Sequence, residues 1–491
     1  MDKDRFLQRV KQKFNVGDLA NIEKALEIVA EIHADDVRLS GQPIVQHLLE
    51  VGNLLMDFPV DAETIIAALF HDSIELDRIT PEQIEKEFGK QTKELVVGVN
   101  RIKQLPRKSG EVEYYANLRK LLLASARDVR VVLIRLVEKL HNLQTLNYLP
   151  EDRQKSILEK TFDVYSPLAE KLGFNYLKSR LDDEAFKHAQ PLENLEIEEY
   201  FETTQAQRKE SLGAIKESVA SLLSQNNIDA QIKSRVKSNF GIYKKYLRKR
   251  QEGESITEFM QNLHDKYGVM VLVDTVEECY HVLGLLHQAW KYVQSEFDDY
   301  IATPKPNGYR SIQTAVFVLP GELVEIQIKT QQMHEFNEFG GASHLSYKQR
   351  QSGQDERVTD KQLKWLKQLL DWHDSATTTK EFADALKIDV FGDRIFVYTP
   401  KGDILDLPNG STPIDFAYEI HTEVGNKTCG ARVNGKMVPL DHKLESHDIC
   451  EIITDPKRKG PSRDWLDIGF RRYTKSVIRH ELQKHKADLF V

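Results

Sequence analysis

Two histidines and two carboxylates in the N-terminal third of the chain have the composition of a divalent-metal site. His47 lies in PIVQHLLEV, the His71-Asp72 pair follows the apolar run IIAALF, and Glu138 lies in VVLIRLVEKLHNLQTL. A polar side chain that ends or interrupts an apolar helical run lies at the edge of the core, where a metal ion can satisfy it. This mixed set suits Mn²⁺ or Fe²⁺ better than a structural Zn²⁺. The alternative is that these are ordinary capping and core-edge residues.

A second set of candidate residues, in the middle of the chain, has the chemistry of a nucleotide site. Phosphoryl transfer between nucleotides needs carboxylates for Mg²⁺, cations for the phosphates and flat side chains for the bases. All three kinds occur here: the cations Arg235, Lys237 and Lys245, the carboxylates Asp265 and Glu325, and the turn residues Lys305, Asn307 and Tyr309. Taken singly, each has a simpler explanation, because a basic run is usually a solvated surface and Pro-Asn-Gly is usually only a turn.

The elements that must position these residues change along the chain. The first 200 or so residues carry apolar residues at three-to-four spacing, as in Thr64–Phe70 and Val129–Leu143, and predict consecutive helices. The following residues alternate helical stretches such as Glu277–Tyr292 with strand-like runs, which predicts a mixed α+β domain. The strand-like runs are Gly268–Val273, Thr314–Leu319 and Leu323–Ile328.

The last hundred or so residues predict a small β-rich domain. Arg394–Tyr398 and Ile404–Leu407 read as strands around a Pro-Lys-Gly turn, and Asn434-Gly435 is a strong hairpin signal. Thr412 as an N-cap before Pro413 predicts the start of a helix. An amphipathic helix is predicted near the end of the chain.

Composition limits the class of protein. The chain has 491 residues, too many for one core, and its 40% hydrophobic and 29% charged content is that of an ordinary globular protein. A net charge of −8 argues against general nucleic-acid binding. The three cysteines lack paired spacing, and no run is apolar enough to cross a bilayer or act as a signal peptide, so we expect a cytoplasmic protein.

The helical motifs resemble those of the RelA/SpoT family of alarmone enzymes. HADDVRLSGQPIVQH, ALFHDSIEL and LIRLVEKLHNLQTL match, in order and spacing, its HD-type hydrolase domain. The resemblance implies that His47, His71, Asp72 and Glu138 hold Mn²⁺ and that Glu75 helps to activate water. It further implies a guanosine pocket lined by Arg38, Ser40, Asn142 and Thr145. Two positions differ from the family: Glu138 replaces an aspartate, and Leu76 replaces a catalytic carboxylate.

The middle of the chain resembles the synthetase domain of the same family. RVKSNFGIYKK, HDKYGVMVLVD, DDYIATPKPNGYRSIQT and EIQIKTQQMHEF carry this resemblance. It implies that Arg235 and Lys237 sandwich the adenine of ATP and that Lys245 contacts its phosphates. It also implies that Asp265 and Glu325 bind Mg²⁺, with Glu325 near the attacking ribose 3′-hydroxyl. Tyr309 would stack on guanine with help from Lys305 and Asn307, and Gln327 would line the substrate pocket.

Several synthetase positions depart from the family pattern, and these predict a weakened or altered activity. Asp298 replaces a lysine, which reverses a charge near a polyphosphate; at 4 Å and an effective dielectric constant near 20, such a pair is worth roughly 4 kcal/mol. The other departures are Met270 for an arginine, Gln313 for a histidine, Lys329 for an arginine and Gly241 for a serine.

The C-terminal residues resemble a TGS domain, which we interpret as a binding module because it contains no nucleophile–base pair or metal cluster. His421, in EIHTEVG, matches a histidine that the long family members use to sense tRNA on the ribosome. The alternative is that His421 only closes a helix C-terminus. Because the sequence ends at Val491, we expect no counterpart of the family's later ACT-like region.

The sequence therefore predicts a multidomain protein with three folds: an all-α HD-type phosphohydrolase domain, an α+β nucleotidyltransferase-like synthetase domain and a small β-grasp-like TGS domain. The predicted boundaries are 1–195 for the hydrolase, 196–350 for the synthetase, 351–387 for a helical connector, 388–455 for the TGS domain and 456–491 for a helical tail. The resemblance implies turnover of ppGpp and pppGpp in the stringent response, with ATP and GDP or GTP as synthetase substrates. The surviving metal ligands favour hydrolysis over synthesis. The alternative function is a catalytically silent guanine-nucleotide sensor that binds tRNA or a protein partner.

Overall fold

The computed structural model describes residues 3–74, 76–103, 128–235, 237–251, 253–261, 267–305, 307–319, 322–340, 394–458 and 460–487. These residues fall into two compact units, 3–103 with 128–340, and 394–487. The predictions for Glu75, Asp265 and the connector at 351–387 lie outside the described residues. Among the described residues, no helix combines the length and the apolar character that a bilayer crossing requires.

The larger unit begins with helices, as predicted. They are α1 (Lys3–Lys13), α2 (Val16–Ile32), α3 (Ile44–Leu55), α4 (Ala62–Leu69), α5 (Pro81–Lys103), α6 (Val129–Gln144), α7 (Glu151–Lys160), α8 (Ser166–Lys171), α9 (Asn175–Ala189), α10 (Pro191–Thr203) and α11 (Gln205–Gln225). The Asp61 side chain accepts a hydrogen bond from the Thr64 N–H and so caps the start of α4. Leu48, Ile65 and Ile134, from α3, α4 and α6, are fully buried in the helical core.

A five-stranded sheet follows in the same unit, with the strand order β1-β2-β5-β4-β3. Its elements are β1 (Gln231–Arg235), α12 (Asn239–Lys249), α13 (Ile256–Gln261), β2 (Tyr267–Val273), α14 (Val276–Ala289), β3 (Asp298–Asp299), β4 (Ile312–Leu319), β5 (Glu322–Thr330) and α15 (Gln331–Phe339). β2 and β5 are parallel, and the other neighbouring pairs are antiparallel. The predicted α+β character is thus confirmed.

The two faces of this sheet differ in chemistry. On one face, Val271, Ile328 and Ile312 are neighbours on β2, β5 and β4, and they belong to a buried cluster with side chains of α11 and α14. Because successive strand residues point to opposite faces, the alternate residues form the second face. That face carries the polar residues of the predicted synthetase site.

The smaller unit contains two small sheets and short helices. Its elements are β6 (Arg394–Tyr398), β7 (Ile404–Pro408), α16 (Pro413–Ile420), α17 (Thr422–Lys427), β8 (Thr428–Val433), β9 (Lys436–Val438), β10 (Cys450–Thr454), α18 (Trp465–Ile468) and α19 (Arg472–Ala487). Asn434 and Gly435 have φ values of +51° and +79° at the β8–β9 turn, which confirms the hairpin prediction. Thr412 and Asp415 form the capping box of α16, and the buried Asp415 carboxylate also accepts from the Arg471 N–H at the start of α19.

Candidate functional site

Three predicted metal ligands converge in the helical part of the larger unit. His47 lies on α3, while His71 and Asp72 lie in the turn directly after α4. Each offers one ligand atom, and these atoms all lie within 4.8 Å of one another. His47 and His71 are 2% and 0% exposed, so the cluster is withdrawn from solvent.

The hydrogen bonds around the two imidazoles leave their metal-binding nitrogens facing each other. The Nδ1 atom of His71 lies 2.7 Å from the Ala68 carbonyl oxygen; since a carbonyl only accepts, Nδ1 carries the proton and Nε2 keeps its lone pair. That Nε2 atom is 3.3 Å from the Nε2 atom of His47 and 3.2 Å from an Asp72 carboxylate oxygen. Three electron-donating atoms gathered at this spacing suit a divalent cation.

Two further residues set the tautomer of His47, and the sequence analysis did not identify them. The Nε2 atom of His141 contacts the Glu50 carboxylate, which can only accept, so the Nδ1 atom of His141 is left as an acceptor. The Nδ1 atom of His47 lies 2.8 Å from it and 3.2 Å from Arg38 Nη1; in the metal-ligating tautomer, His47 Nδ1 donates to His141 and its Nε2 lone pair faces the cluster. Spacing along the sequence gave no signal of this relay, since Glu50 and His141 are 91 residues apart.

The surroundings of His47 and His141 favour the neutral form of both imidazoles. A histidine that binds a metal, such as His47, must be neutral. Burial, reinforced by the nearby His71 and Arg38 groups, holds the pKa of His47 well below its ordinary value. Burial also lowers the pKa of His141, although the hydrogen bond with Glu50 acts in the opposite direction.

If Glu50 orients the metal ligand His47 through His141, replacing Glu50 should weaken metal binding even though every metal ligand is kept. We expect Glu50→Leu to raise the dissociation constant for Mn²⁺ by about 10- to 100-fold, the usual effect of losing an outer hydrogen-bond partner. Glu50→Gln is the matched control, because its amide oxygen still accepts from His141. Electron paramagnetic resonance of free Mn²⁺ measures both variants, and wild-type affinity in Glu50→Leu would refute the relay.

Two predicted guanosine residues border the cluster. The Arg38 Nη2 atom donates to Asn142 Oδ1 at 2.6 Å, and Arg38 Nη1 lies 3.2 Å from His47 Nδ1 and 3.4 Å from His141 Nδ1. A fixed guanidinium beside a metal cluster is suited to an anionic substrate.

Ser40 and Thr145 form local hydrogen bonds. The Ser40 hydroxyl accepts from the Gln42 N–H, and the Thr145 hydroxyl donates to the His141 carbonyl at the end of α6. These contacts leave their predicted role in the guanosine pocket untested.

Glu138 lies on α6 and is linked to Arg38 through Asn142. Its carboxylate pairs with Arg135, lies 3.2 Å from Lys139 Nζ and accepts from Asn142 Nδ2 at 3.1 Å. The group of three convergent ligand atoms therefore does not include it. Its metal ligation stays a prediction.

The described residues after His71 form a turn and do not continue α4. Asp77 has a φ of +53°, and the Arg78 N–H donates to the Ser73 carbonyl to close the turn. This turn follows directly on the end of α4 at Leu69.

Several predicted synthetase residues line the polar face of the five-stranded sheet. Glu325, Gln327 and Lys329 alternate along β5, with Gln327 donating to Glu325 at 3.1 Å and Lys329 donating to Gln327 at 3.1 Å. Lys329 is a lysine only 2% exposed.

Three departures from the family pattern lie in one row across this face. The strand register places Lys233, Met270, Gln327, Gln313 and Asp298 side by side on β1, β2, β5, β4 and β3. Side chains directly opposite in neighbouring strands are in contact range. The substitutions thus change one continuous surface.

The Tyr309 ring lies beside this row. Its hydroxyl accepts from Gln313 Nε2 at 2.9 Å, and the Lys329 and Lys305 ammonium groups lie 5.6 and 5.3 Å from its ring centre. The ring is half-buried, so part of it is accessible. A half-exposed ring flanked by cations is suited to stacking with a base that carries phosphates.

The other predicted nucleotide residues lie on β1, near α12 and in the turn before Tyr309. Arg235 ends β1, Lys237 is half-buried just before α12, and Lys245 is half-buried on α12. Asn307 accepts from the Tyr309 N–H at 3.1 Å and so belongs to the turn that carries the ring. Because Asp265 lies outside the described residues, the predicted pair of Mg²⁺ carboxylates is represented by Glu325 alone.

In the smaller unit, His421 is exposed at the junction of α16 and α17. Its Nδ1 atom accepts from the Glu423 N–H at 3.2 Å and caps α17, so this contact orients the ring. No role in tRNA sensing follows from this geometry.

Comparison with known proteins assigns the same three parts. Residues 25–175 match the family model of the HD domain, 234–352 the region found in RelA/SpoT proteins, and 395–454 the TGS domain. The chain is 37% identical over 474 residues to a GTP pyrophosphokinase of Myxococcus xanthus, an alignment that covers 96% of this chain and 61% of that protein. It is 39% identical over 471 residues to a guanosine-3′,5′-bis(diphosphate) 3′-pyrophosphohydrolase of Aquifex aeolicus, covering 96% and 66%.

This chain thus spans only about two thirds of the length of these relatives. A solved structure of a metazoan orthologue of SpoT covers 35% of this chain and 97% of its own at 26% identity, with a TM-score of only 0.28, so the assignment rests on the sequence matches. Three family models in the expected order, together with relatives that align along nearly the whole chain, show that it belongs to the RelA/SpoT family.

Proposed function

We propose that this protein turns over guanosine tetra- and pentaphosphate in two separate pockets. The helical pocket hydrolyses the 3′-pyrophosphate, and the polar face of the sheet transfers a pyrophosphoryl group from ATP to the 3′-hydroxyl of GDP or GTP. The observation that carries the proposal is the convergence of His47, His71 and Asp72 beside Arg38. Both activities occur in the names of its relatives.

In the hydrolase pocket, we assign His47, His71 and Asp72 as ligands of a divalent cation, with Mn²⁺ as the preferred ion. Such an ion, when bound, lowers the pKa of a coordinated water and polarises a phosphate oxygen. Arg38 supplies a positive charge for the substrate phosphates, and Asn142 fixes its guanidinium.

The family resemblance implies four more residues for the hydrolase site. Glu138 would be a fourth ligand, Glu75 would help to activate water, and Ser40 and Thr145 would contact guanosine.

In the synthetase pocket, we assign Tyr309 as the surface on which guanine stacks, with Lys305 and Asn307 beside it. Glu325 is the carboxylate that faces the ribose 3′-hydroxyl and helps to bind Mg²⁺, for which Asp265 would be the partner. Arg235, Lys237 and Lys245 are assigned to ATP, and Gln327 to the pocket floor. Met270, Gln313 and Asp298 replace the family's residues in one row of this surface. We therefore predict that synthesis is the weaker of the two activities.

Two assays on the purified chain test this function. Release of pyrophosphate from ppGpp with Mn²⁺ reports the hydrolase, and formation of ppGpp from ATP and GDP with Mg²⁺ reports the synthetase. Turnover in either assay supports an enzyme. Silence in both would refute the proposal and leave the alternative, a nucleotide sensor.

Asp298 offers a direct test of the weakened synthetase. It lies beside Gln313 in the strand register, and Gln313 contacts the Tyr309 hydroxyl. We expect Asp298→Lys to raise the rate of ppGpp synthesis about tenfold if the substrate phosphates approach this edge, since a factor of ten needs about 1.4 kcal/mol, well within the roughly 4 kcal/mol of a unit charge pair at 4 Å. Asp274→Lys, at an exposed position just after β2, controls for net charge. An unchanged rate would show that position 298 does not face the phosphates.

The TGS domain is proposed as a module that binds tRNA or the ribosome through the exposed His421, and the whole protein is proposed to act in the cytoplasm. The exposed position of His421 is compatible with such contact.

A further inference from the structure

The turn that carries Tyr309 is closed by its own short hydrogen bonds. The Gly308 N–H donates to the Lys305 carbonyl at 2.7 Å, and the Lys305 N–H donates to the Tyr309 carbonyl at 3.1 Å. Gly308 has a φ of +81°, a conformation that favours glycine. These bonds define the shape of the turn but do not fix its position relative to the sheet.

A buried side chain on α15 holds the backbone of the turn, in addition to the contact of Gln313 with the Tyr309 hydroxyl and that of Asn307 with the Glu170 carbonyl. Asn337, which is 2% exposed, accepts from the Arg310 N–H through Oδ1 at 3.0 Å and donates from Nδ2 to the Arg310 carbonyl at 2.7 Å. Both backbone groups of the residue after Tyr309 are therefore held by one amide. A two-point contact of this kind restrains rotation as well as displacement.

The helix that carries Asn337 is itself fixed at its C-terminal end. The Asn337 carbonyl accepts from Asn175 Nδ2 at 2.6 Å, and the Phe339 ring lies 5.7 Å from the ring of Phe58. Gly340 passes so close to the Leu172 carbonyl that an added Cβ atom would collide with it. The Asn337 side chain is therefore carried by a helix whose C-terminal end is held in place by these contacts.

We propose that Asn337 is a positioning residue for the guanine-stacking ring. It holds the Arg310 backbone, and through it the plane of Tyr309, in the orientation that a purine base requires. This inference rests on the proposed function of the synthetase pocket. Asn337 is then expected to contribute to the affinity for guanine nucleotides and not to the affinity for ATP.

Equilibrium binding of GDP and of a non-hydrolysable ATP analogue to the full chain tests the inference. We expect Asn337→Ala to raise the dissociation constant of GDP on the order of tenfold, as for the loss of two buried hydrogen bonds, and to leave that of the ATP analogue unchanged. Alanine has the highest helix propensity, so α15 is retained. Asn337→Asp keeps the acceptor for the Arg310 N–H but sets a second acceptor against the Arg310 carbonyl, so we expect it to weaken GDP binding at least as much as Asn337→Ala.

Two controls separate the possible failures. Gln332→Ala, at an exposed position of the same helix, should bind GDP like the wild type. If Tyr309→Ala loses GDP while Asn337→Ala binds it normally, the positioning role is overturned and the guanine site stands. Equal weakening of both nucleotides in Asn337→Ala would show a merely structural role, and failure of the wild type to bind GDP would overturn the guanine site itself.

Discussion

Replacing His71 by alanine is expected to lower ppGpp hydrolysis by about a thousandfold or more, because a catalytic divalent cation supplies several kcal/mol and each 1.36 kcal/mol is a factor of ten in rate. The effect is expected to be large because His71 occupies the centre of the cluster. Its Nε2 atom is within 3.3 Å of both other ligands, and its Nδ1 atom is already committed to the Ala68 carbonyl.

Synthesis by the same variant should stay at the wild-type level, since Tyr309 and Glu325 belong to the sheet and not to the helical core. His188→Ala, a half-buried histidine on α9, is the matched control and should keep both activities. Pyrophosphate release with Mn²⁺ measures the first effect. Retained hydrolysis in His71→Ala would show that the metal assignment is wrong.

Replacing Glu325 by glutamine should reduce ppGpp synthesis by about 10²- to 10⁴-fold, the usual contribution of a general base, and leave hydrolysis intact. The amide keeps the shape of the carboxylate but can neither carry the negative charge that Mg²⁺ requires nor accept the proton of the ribose hydroxyl. Glu325 is half-buried on the polar face of β5, where Gln327 donates to it. Gln327 thereby holds the carboxylate in the pocket.

Glu277→Gln provides the matched control for this prediction. Glu277 is exposed in the first turn of α14, a helix that packs on the opposite, apolar face of the sheet. Formation of ppGpp from ATP and GDP measures both variants. Normal synthesis by Glu325→Gln, or loss of synthesis in Glu277→Gln, would contradict the placement of the site.

Local patterns were sufficient to predict the elements. The apolar spacing of Val129–Leu143 predicted α6, the Asn434-Gly435 dipeptide predicted its hairpin, and Thr412 with Asp415 formed the expected cap. Each depends on interactions within a few residues of the chain, so the sequence contains the whole signal. The order of motifs further identified His47, His71 and Asp72, which the structure brings together.

Contacts between distant residues could not be predicted in this way. The Glu50–His141 pair and the Asn337–Arg310 pair join positions on separate elements, and neither has a fixed sequence spacing. The row that contains Met270 and Asp298 depends on the register of five strands, which local patterns do not determine. The contact of Glu138 with Arg135 is different, because residues three apart on one helix are neighbours and the predicted α6 already implied it.

The existence of two separate pockets is tested most directly by an anomalous difference map from crystals soaked with Mn²⁺ and GDP. We predict one Mn²⁺ peak at about 2.0–2.3 Å from the Nε2 atoms of His47 and His71 and from an Asp72 oxygen, with guanine stacked on Tyr309 in the other pocket. The lack of a Mn²⁺ peak at these three atoms would contradict the metal site, and guanine bound away from Tyr309 would contradict the nucleotide site.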